Sequence, residues 1–222
     1  MGYDTRFEGH FLLSKKVGKE FYSYINAFNR TRHMYRDVSL IIENFPDWME
    51  RSYKGDLGLD GAYFICEDGK RTPDVIDYNK STYGVPNLWC QWRLFSDKEK
   101  ELLSGDVEEA EAYLAWDGGE KFYDSLEWLE YLIKHFFSKE GITLTGTALS
   151  VGEEFGDATY ICAVDNHTTT EYAYSPDAGK HVERWIRQNA CDEKSAEKAL
   201  SVFQDIFTSE GKLEEEWGED DY

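Results

Sequence analysis

The sequence predicts an α+β fold: a mixed, largely antiparallel sheet with helices packed on one face, plus a C-terminal helical extension. Three observations lead there. Strand-like segments outnumber the helical ones between them, whereas a parallel doubly wound sheet needs a helix after almost every strand. Residues 142–151 and 158–166 alternate at period two and are joined by Gly152-Glu153-Glu154-Phe155-Gly156-Asp157, a hairpin signal. After the polar stretch Thr168-Thr169-Thr170 the chain carries only helical patterns.

Each element follows from its residues. Residues 3–13 alternate as a strand, and Gly9 marks a bulge or the close approach of another backbone. Residues 19–32 read as a helix because Phe21, Tyr24, Ile25 and Phe28 recur at the 3.6-residue period. Arg30, Arg32, His33 and Arg36 gather at its far end, where cations complement the negative helix terminus. A short helical excursion broken at Pro46 precedes an apolar strand at 61–66, which the turn Glu67-Asp68-Gly69-Lys70 ends. Residues 75–78 form a short strand, and residues 88–95 have strand composition, with Trp89 and Trp92 three apart. Residues 97–111 are highly charged and read as an exposed helical insertion. A strand at 112–116 leads through Asp117-Gly118-Gly119 into the clearest helix, 120–138. Its stripe is Phe122, Leu126, Leu129, Leu132, Ile133 and Phe136, and Gly141 ends it. One further helix opens at Pro176 and holds Val182, Trp185 and Ile186. The last opens near Glu193 and holds Ala196, Ala199, Leu200, Phe203 and Phe207.

This gives a main α+β domain at 1–174, carrying the charged insertion at 97–111. A helical extension follows at 175–208. Residues 209–222 are an acidic tail, expected to be mobile.

Forty-four Asp and Glu against 24 Lys and Arg leave a formal charge of −20 over 222 residues. A surplus of that size repels phosphate backbones and anionic membrane surfaces and attracts basic protein surfaces. It argues against direct nucleic-acid and membrane binding and for a basic protein partner. No run approaches the ~18 apolar residues of a membrane span, and the polar first residues lack the apolar stretch of a secretory signal. Cys66, Cys90, Cys162 and Cys191 are widely spaced, with no C-x-x-C pair, which suits reduced thiols in a cytoplasmic protein. Seven Trp, 15 Tyr and 13 Phe are ample for a core, since each ring buries ~150–250 Å².

Several stretches carry a resemblance: Gly2-Tyr3-Asp4-Thr5-Arg6-Phe7-Glu8-Gly9, Asp77-Tyr78-Asn79, Leu88-Trp89-Cys90-Gln91-Trp92, and Trp116-Asp117-Gly118-Gly119-Glu120-Lys121-Phe122-Tyr123 with Glu127-Trp128-Leu129 and Tyr131-Leu132-Ile133. Together, over roughly residues 1–166, they resemble a family of uncharacterised bacterial and phage proteins. The resemblance brings no established activity and no catalytic residues. The chain departs from it in the length of the charged segment 97–111 and in the helical tail after Thr170.

No complete catalytic or metal motif is present, so candidate sites rest on local groupings, each with an ordinary structural reading beside it. Asp117-Gly118-Gly119-Glu120-Lys121 lies between strand and helix, where helix-start amides can bind an anion and Lys121 supplies counter-charge. A tight turn with Asp117 capping the helix explains the same residues. Tyr78, Trp89, Trp92, Trp116 and Tyr123 can line a pocket in which flat ligands stack, with Asp77, Asn79 and Gln91 reading polar edges. Core packing is the competing reading. The candidate ligand set is therefore Tyr78, Trp89, Gln91, Trp92, Trp116, Asp117, Gly118, Gly119, Lys121 and Tyr123. Carboxylate pairs such as Asp117 with Glu120, or Glu153 with Glu154, fall in turns open to water, where a general acid does not gain its raised pKa. The five histidines show no ligand spacing, and Asp165-Asn166-His167 reads as a polar strand end. No catalytic residue, metal ligand or cofactor is assigned.

The acids gather in three stretches: 99–111, 193–197 and 210–221. They are a solvated surface, or they stand where a basic partner expects phosphates. The second reading gives the expected function. It is a non-catalytic acidic interaction protein, of phage-inhibitor or nucleic-acid-mimic type, using Glu108, Glu109, Glu111, Glu214, Glu215 and Glu216. The alternative is a small-ligand, nucleotide-like binding protein, or an enzyme, built on the aromatic and Gly-Gly segments.

Overall fold

The structure is a computed structural model describing residues 4–66, 69–154 and 156–217, with side chains described through residue 207. In chain order it contains β1 (Thr5–Leu13), β2 (Val17–Gly18), α1 (Lys19–Arg30), β3 (Met34–Arg36), α2 (Val38–Asn44), β4 (Val75–Ser81), β5 (Trp92–Phe95) and α3 (Glu99–Ser104). There follow β6 (Glu109–Ala110), β7 (Tyr113–Trp116), α4 (Ser125–Leu132), β8 (Leu144–Gly152), β9 (Ala158–Val164), β10 (His167–Tyr172), α5 (Ala178–Asn189) and α6 (Glu193–Trp217). Six strands form an antiparallel sheet in the order β10-β9-β8-β1-β7-β5. The fold is α+β, as the sequence predicts. By its internal contacts the chain divides into two compact units.

The first unit comprises residues 1–15, 113–121 and 133–222. β1 pairs with β8 along its whole length, from Thr5 opposite Gly152 to Leu13 opposite Leu144. Gly9 is where another backbone comes close. Its φ is +95°, and a Cβ there would collide with the Thr147 carbonyl oxygen and with Ile206 Cδ1. The predicted hairpin forms between β8 and β9, closed by Gly152 N–H donating to Asp157 O at 2.8 Å. β9 is buried on almost every residue rather than alternately, because both of its faces are covered. On one face Tyr160, Cys162 and Val164 pack with Val182 and Ile186 of α5 and Ala199, Leu200 and Phe203 of α6. The Tyr160 and Phe203 rings meet edge-on at 5.2 Å. The apolar residues of α6 recur at three- and four-residue spacing, which turns one stripe toward the sheet. The polar residues Thr168 to Thr170 are part of a strand that the sequence pattern did not indicate. They sit in β10, opposite Ala163, Cys162 and Ile161, where β-branched threonines suit a half-exposed edge strand. The helical backbone of α6 extends to Trp217. The side chains of Glu214, Glu215 and Glu216, and residues 218–222 of the acidic tail, lie outside the described residues.

The second unit comprises residues 16–112 and 122–132. Its core joins Tyr22, Ile25 and Phe28 of α1 to Trp128, Leu129 and Leu132 of α4, all buried. The Phe28 ring stacks on Tyr131 at 6.0 Å and meets Trp128 edge-on at 6.0 Å. α2 starts at Asp37, whose Oδ1 accepts the Ser39 and Leu40 N–H groups at 2.8 and 3.2 Å, a side-chain N-cap. Residues 61–66 do not form the expected strand. Asp60 and Gly61 take positive φ (50° and 79°) and turn the chain, so the apolar run is spent on packing rather than on a ladder. Phe64 and Cys66 join Ile41 and Leu57 in a small separate core. β4 runs three residues further than its sequence pattern indicates and pairs, with register shifts, to β3.

The helix predicted at 120–138 begins at Ser125. Lys121 and Asp124 have φ of 60° and 55°, which no α-helix accommodates. Past Leu132 the winding loosens to a π turn over Ile133–Phe137, then tightens at Ser138–Glu140. Gly141 ends it at φ 63°, as expected.

Candidate functional site

The charged segment 97–111 is an ordered part of the second unit. Leu102 of α3 and Ala110 of β6 are buried and anchor it. β6 pairs with β2, placing Ala110 opposite Val17 and Glu109 opposite Gly18. Ser96 Oγ donates to Glu111 O at 2.6 Å and fixes the next residue. From 109 to 112 exposure alternates, with Glu109 and Glu111 in solvent and Ala110 and Ala112 buried. That is the period of an extended strand, so the two carboxylates share a side about 7 Å apart. Glu108 is exposed beside them. Within the segment Glu99 is bound to Arg93 at 3.1 Å. Among the described residues Glu108, Glu109 and Glu111 have no ion-pair partner.

The aromatic candidates have different fates. Trp92 is fully buried; its Nε1 donates to Ser125 O at 2.8 Å and its ring meets Phe122 at 5.2 Å. Gln91 is also buried. Tyr123 is 50 % exposed, and Tyr78 is half-buried. These four, with Trp89, belong to the second unit, whereas Trp116, Asp117, Gly118, Gly119 and Lys121 belong to the first. The latter form a self-contained turn. Asp117 Oδ1 accepts Gly119 N–H at 2.8 Å, and Trp116 Nε1 donates to Gly119 O at 3.0 Å. Gly118 takes φ 88°, which its lack of a side chain permits. The turn does not adjoin a helix start, since α4 opens only at Ser125. Lys121 is exposed.

One grouping escaped the sequence reading. The Arg32 guanidinium sits 4.1 Å from the Tyr78 ring centre and 5.6 Å from that of Trp89. Arg71 approaches the same Tyr78 ring at 4.7 Å. Arg71 comes from a polar turn that carries no motif, and its pairing with Tyr78 depends on the fold of β4. The remaining basic residues divide. Arg36 is buried on Asp74, His33 is buried among rings, and Arg30 is exposed.

Other titratable groups serve the scaffold. Asp165 Oδ2 accepts Cys191 N–H and Ser195 Oγ–H, both at 2.8 Å, tying the α5–α6 junction to the end of β9. Burial pushes its pKa up, but these hydrogen bonds and the His167 charge outweigh that and hold it low. Asn166 binds Leu144 N–H and Ile142 O. Burial raises the Cys162 thiol to about 12. None of the four cysteines is in a disulfide; Cys66, Cys90 and Cys162 are buried and Cys191 is exposed. Among the described residues no three His, Cys, Asp or Glu are grouped to hold a metal ion, and no helix is long and apolar enough to cross a membrane.

Comparisons with protein-family models, curated proteins and solved structures return no match.

Proposed function

We propose that this protein is a non-catalytic interaction protein that sets an ordered acidic surface against a basic surface on another protein. It acts in the cytoplasm as an inhibitor or nucleic-acid mimic of the kind phages use. The observation that supports this is the arrangement of Glu108, Glu109 and Glu111. Three exposed carboxylates without cationic partners stand on a backbone fixed by strand pairing and by two buried alanines. Carboxylates on a fixed backbone lose less freedom when a partner binds than those on a mobile chain. A charge of −20 adds long-range attraction to a basic partner and repels competing polyanions. Glu214, Glu215 and Glu216 extend the same reading, and the resemblance of residues 1–166 to uncharacterised bacterial and phage proteins is compatible with it.

The test is affinity capture from lysate with the full chain and with E108Q/E109Q/E111Q. The wild type should retain a basic protein at low salt and release it near ~0.5 M, where the Debye length falls to a few ångströms. The triple variant should retain at least about tenfold less with an unchanged Tm, as expected when rim charges are removed from an electrostatic interface. Equal capture by both chains rejects the reading.

A further inference from the structure

We propose a second site, independent of the acidic segment: Arg32, Arg71, Tyr78 and Trp89 form a surface that binds a nucleoside phosphate, with its phosphate on the guanidinium groups and its base on the indole.

Three observations carry this. The first is preorganisation. Arg32 donates from Nε and Nη2 to the Tyr78 carbonyl oxygen at 3.2 and 3.1 Å, which fixes its guanidinium beside the ring. Trp89 lies between two anchored neighbours. Leu88 O accepts His33 N–H at 2.9 Å, and Cys90 O accepts Asn29 Nδ2–H at 3.0 Å. The backbone on both sides of Trp89 is thereby held, and its ring, 39 % exposed, has the Arg32 guanidinium 5.6 Å from its centre.

The second observation is charge. Two guanidinium groups share one tyrosine ring, at 4.1 and 4.7 Å from its centre. Among the described residues neither has a carboxylate partner, although the chain carries 44 acids for 24 bases. Both distances place the two charges no more than about 9 Å apart, and an anion that reaches both relieves their mutual repulsion. Arg32 keeps Nη1 for it, and Arg71, which is exposed, offers its whole fork. The planar fork matches phosphate geometry.

The third observation is the exposed indole beside Arg32. Any base can stack on an aromatic face, so the surface suits a base joined to a phosphate better than free phosphate. A long nucleic acid is disfavoured, because every further phosphate meets the field of a chain at −20, whereas a mononucleotide needs only the two local cations.

The experiment is calorimetric titration of the full chain with ADP, adenosine and inorganic phosphate, comparing wild type with Arg71→Ala and Trp89→Ala. Both side chains reach solvent, and circular dichroism checks that each variant is folded. ADP should saturate the wild type at or below ~1 mM. Each variant should weaken ADP by about tenfold, the size of one lost charge-assisted bond or one lost stack. Adenosine should depend on Trp89 alone and phosphate on Arg71 alone. No saturable ADP binding overturns the proposal, as does ADP binding that Arg71→Ala leaves unchanged. Phosphate binding as tight as ADP, with Trp89→Ala silent, overturns the nucleotide assignment.

Discussion

The carboxamide of Asn26 on α1 takes both backbone hydrogen bonds of Leu94 on β5. Its Nδ2 donates to the Leu94 carbonyl oxygen at 3.1 Å, and its Oδ1 accepts the Leu94 N–H at 2.9 Å. Asn26 is 3 % exposed and Leu94 is fully buried. β5 ends the sheet order, so no further strand lies beside it. A side chain supplies the two bonds that a neighbouring strand would make, and so closes an edge that would otherwise pair with another chain. Asn29, three residues along the same helix face, donates to Cys90 O just ahead of β5.

Replacing Asn26 with Ala leaves a buried N–H and a buried C=O without partners. Each costs about 1–3 kcal/mol, so the variant should lose about 2–6 kcal/mol in urea denaturation. A loss below about 1 kcal/mol would mean that water or a shifted helix replaces the carboxamide.

Asn26 and Asn29 also mark where the sequence stops being legible. A helix period shows in Phe21, Tyr24, Ile25 and Phe28, but asparagines in a helix ordinarily face water, and nothing local says that their partners are backbone groups in and just ahead of β5, more than 60 residues on. The β8–β9 hairpin was legible because both its pattern and its turn are local. The run 61–66 was misread because a buried apolar segment looks alike whether it pairs or only packs; the local sign against a strand is the turn dipeptide Asp60-Gly61 at its head, where both residues take positive φ. In the candidate sites, exposure of Glu108, Glu109 and Glu111 follows from charge. The Arg71–Tyr78 contact does not, because it requires the position of β4.

The Arg36–Asp74 pair is buried on both sides, at 4 % and 0 % exposure, with Nη1 to Oδ2 at 2.5 Å. Thr72 Oγ1 accepts from the same nitrogen at 3.1 Å, and the guanidinium lies 5.5 Å from the Phe64 ring. Two charges out of water are tolerable only together. Asp74→Ala should cost about 3–5 kcal/mol, because it strands a buried cation. Arg36→Leu combined with Asp74→Leu should recover much of that loss. Urea midpoints of the two singles and the double measure it, and additive losses would show that the residues act separately.

His33 sets a pH dependence of known sign. Its ring is 4 % exposed and packs 4.2 Å from Phe28 and 5.2 Å from Trp128. Nε2 lies 3.1 Å from the Phe28 carbonyl oxygen, which only accepts, so that nitrogen carries the proton of a neutral ring. Burial pushes the pKa from 6.5 down to about 3; the Phe28 carbonyl opposes this, and the Arg36 charge adds to it. The unfolded chain therefore takes up a proton near pH 6.5 while the folded chain does not until about pH 3. Stability from this residue is complete above pH 6.5 and falls as the pH drops through the window between these values, with a slope approaching about 1.4 kcal/mol per unit. His10 and His135 are also shifted down by burial and contribute with the same sign. They are common to wild type and His33→Phe, so the difference between the two isolates His33. The variant should show a shallower loss of stability between pH 6.5 and 5, a range lying above the ordinary titration of carboxylates. Equal slopes, or an NMR titration placing the folded His33 near 6.5, would mean that the ring is wet and that the core around Phe28 and Trp128 opens to solvent.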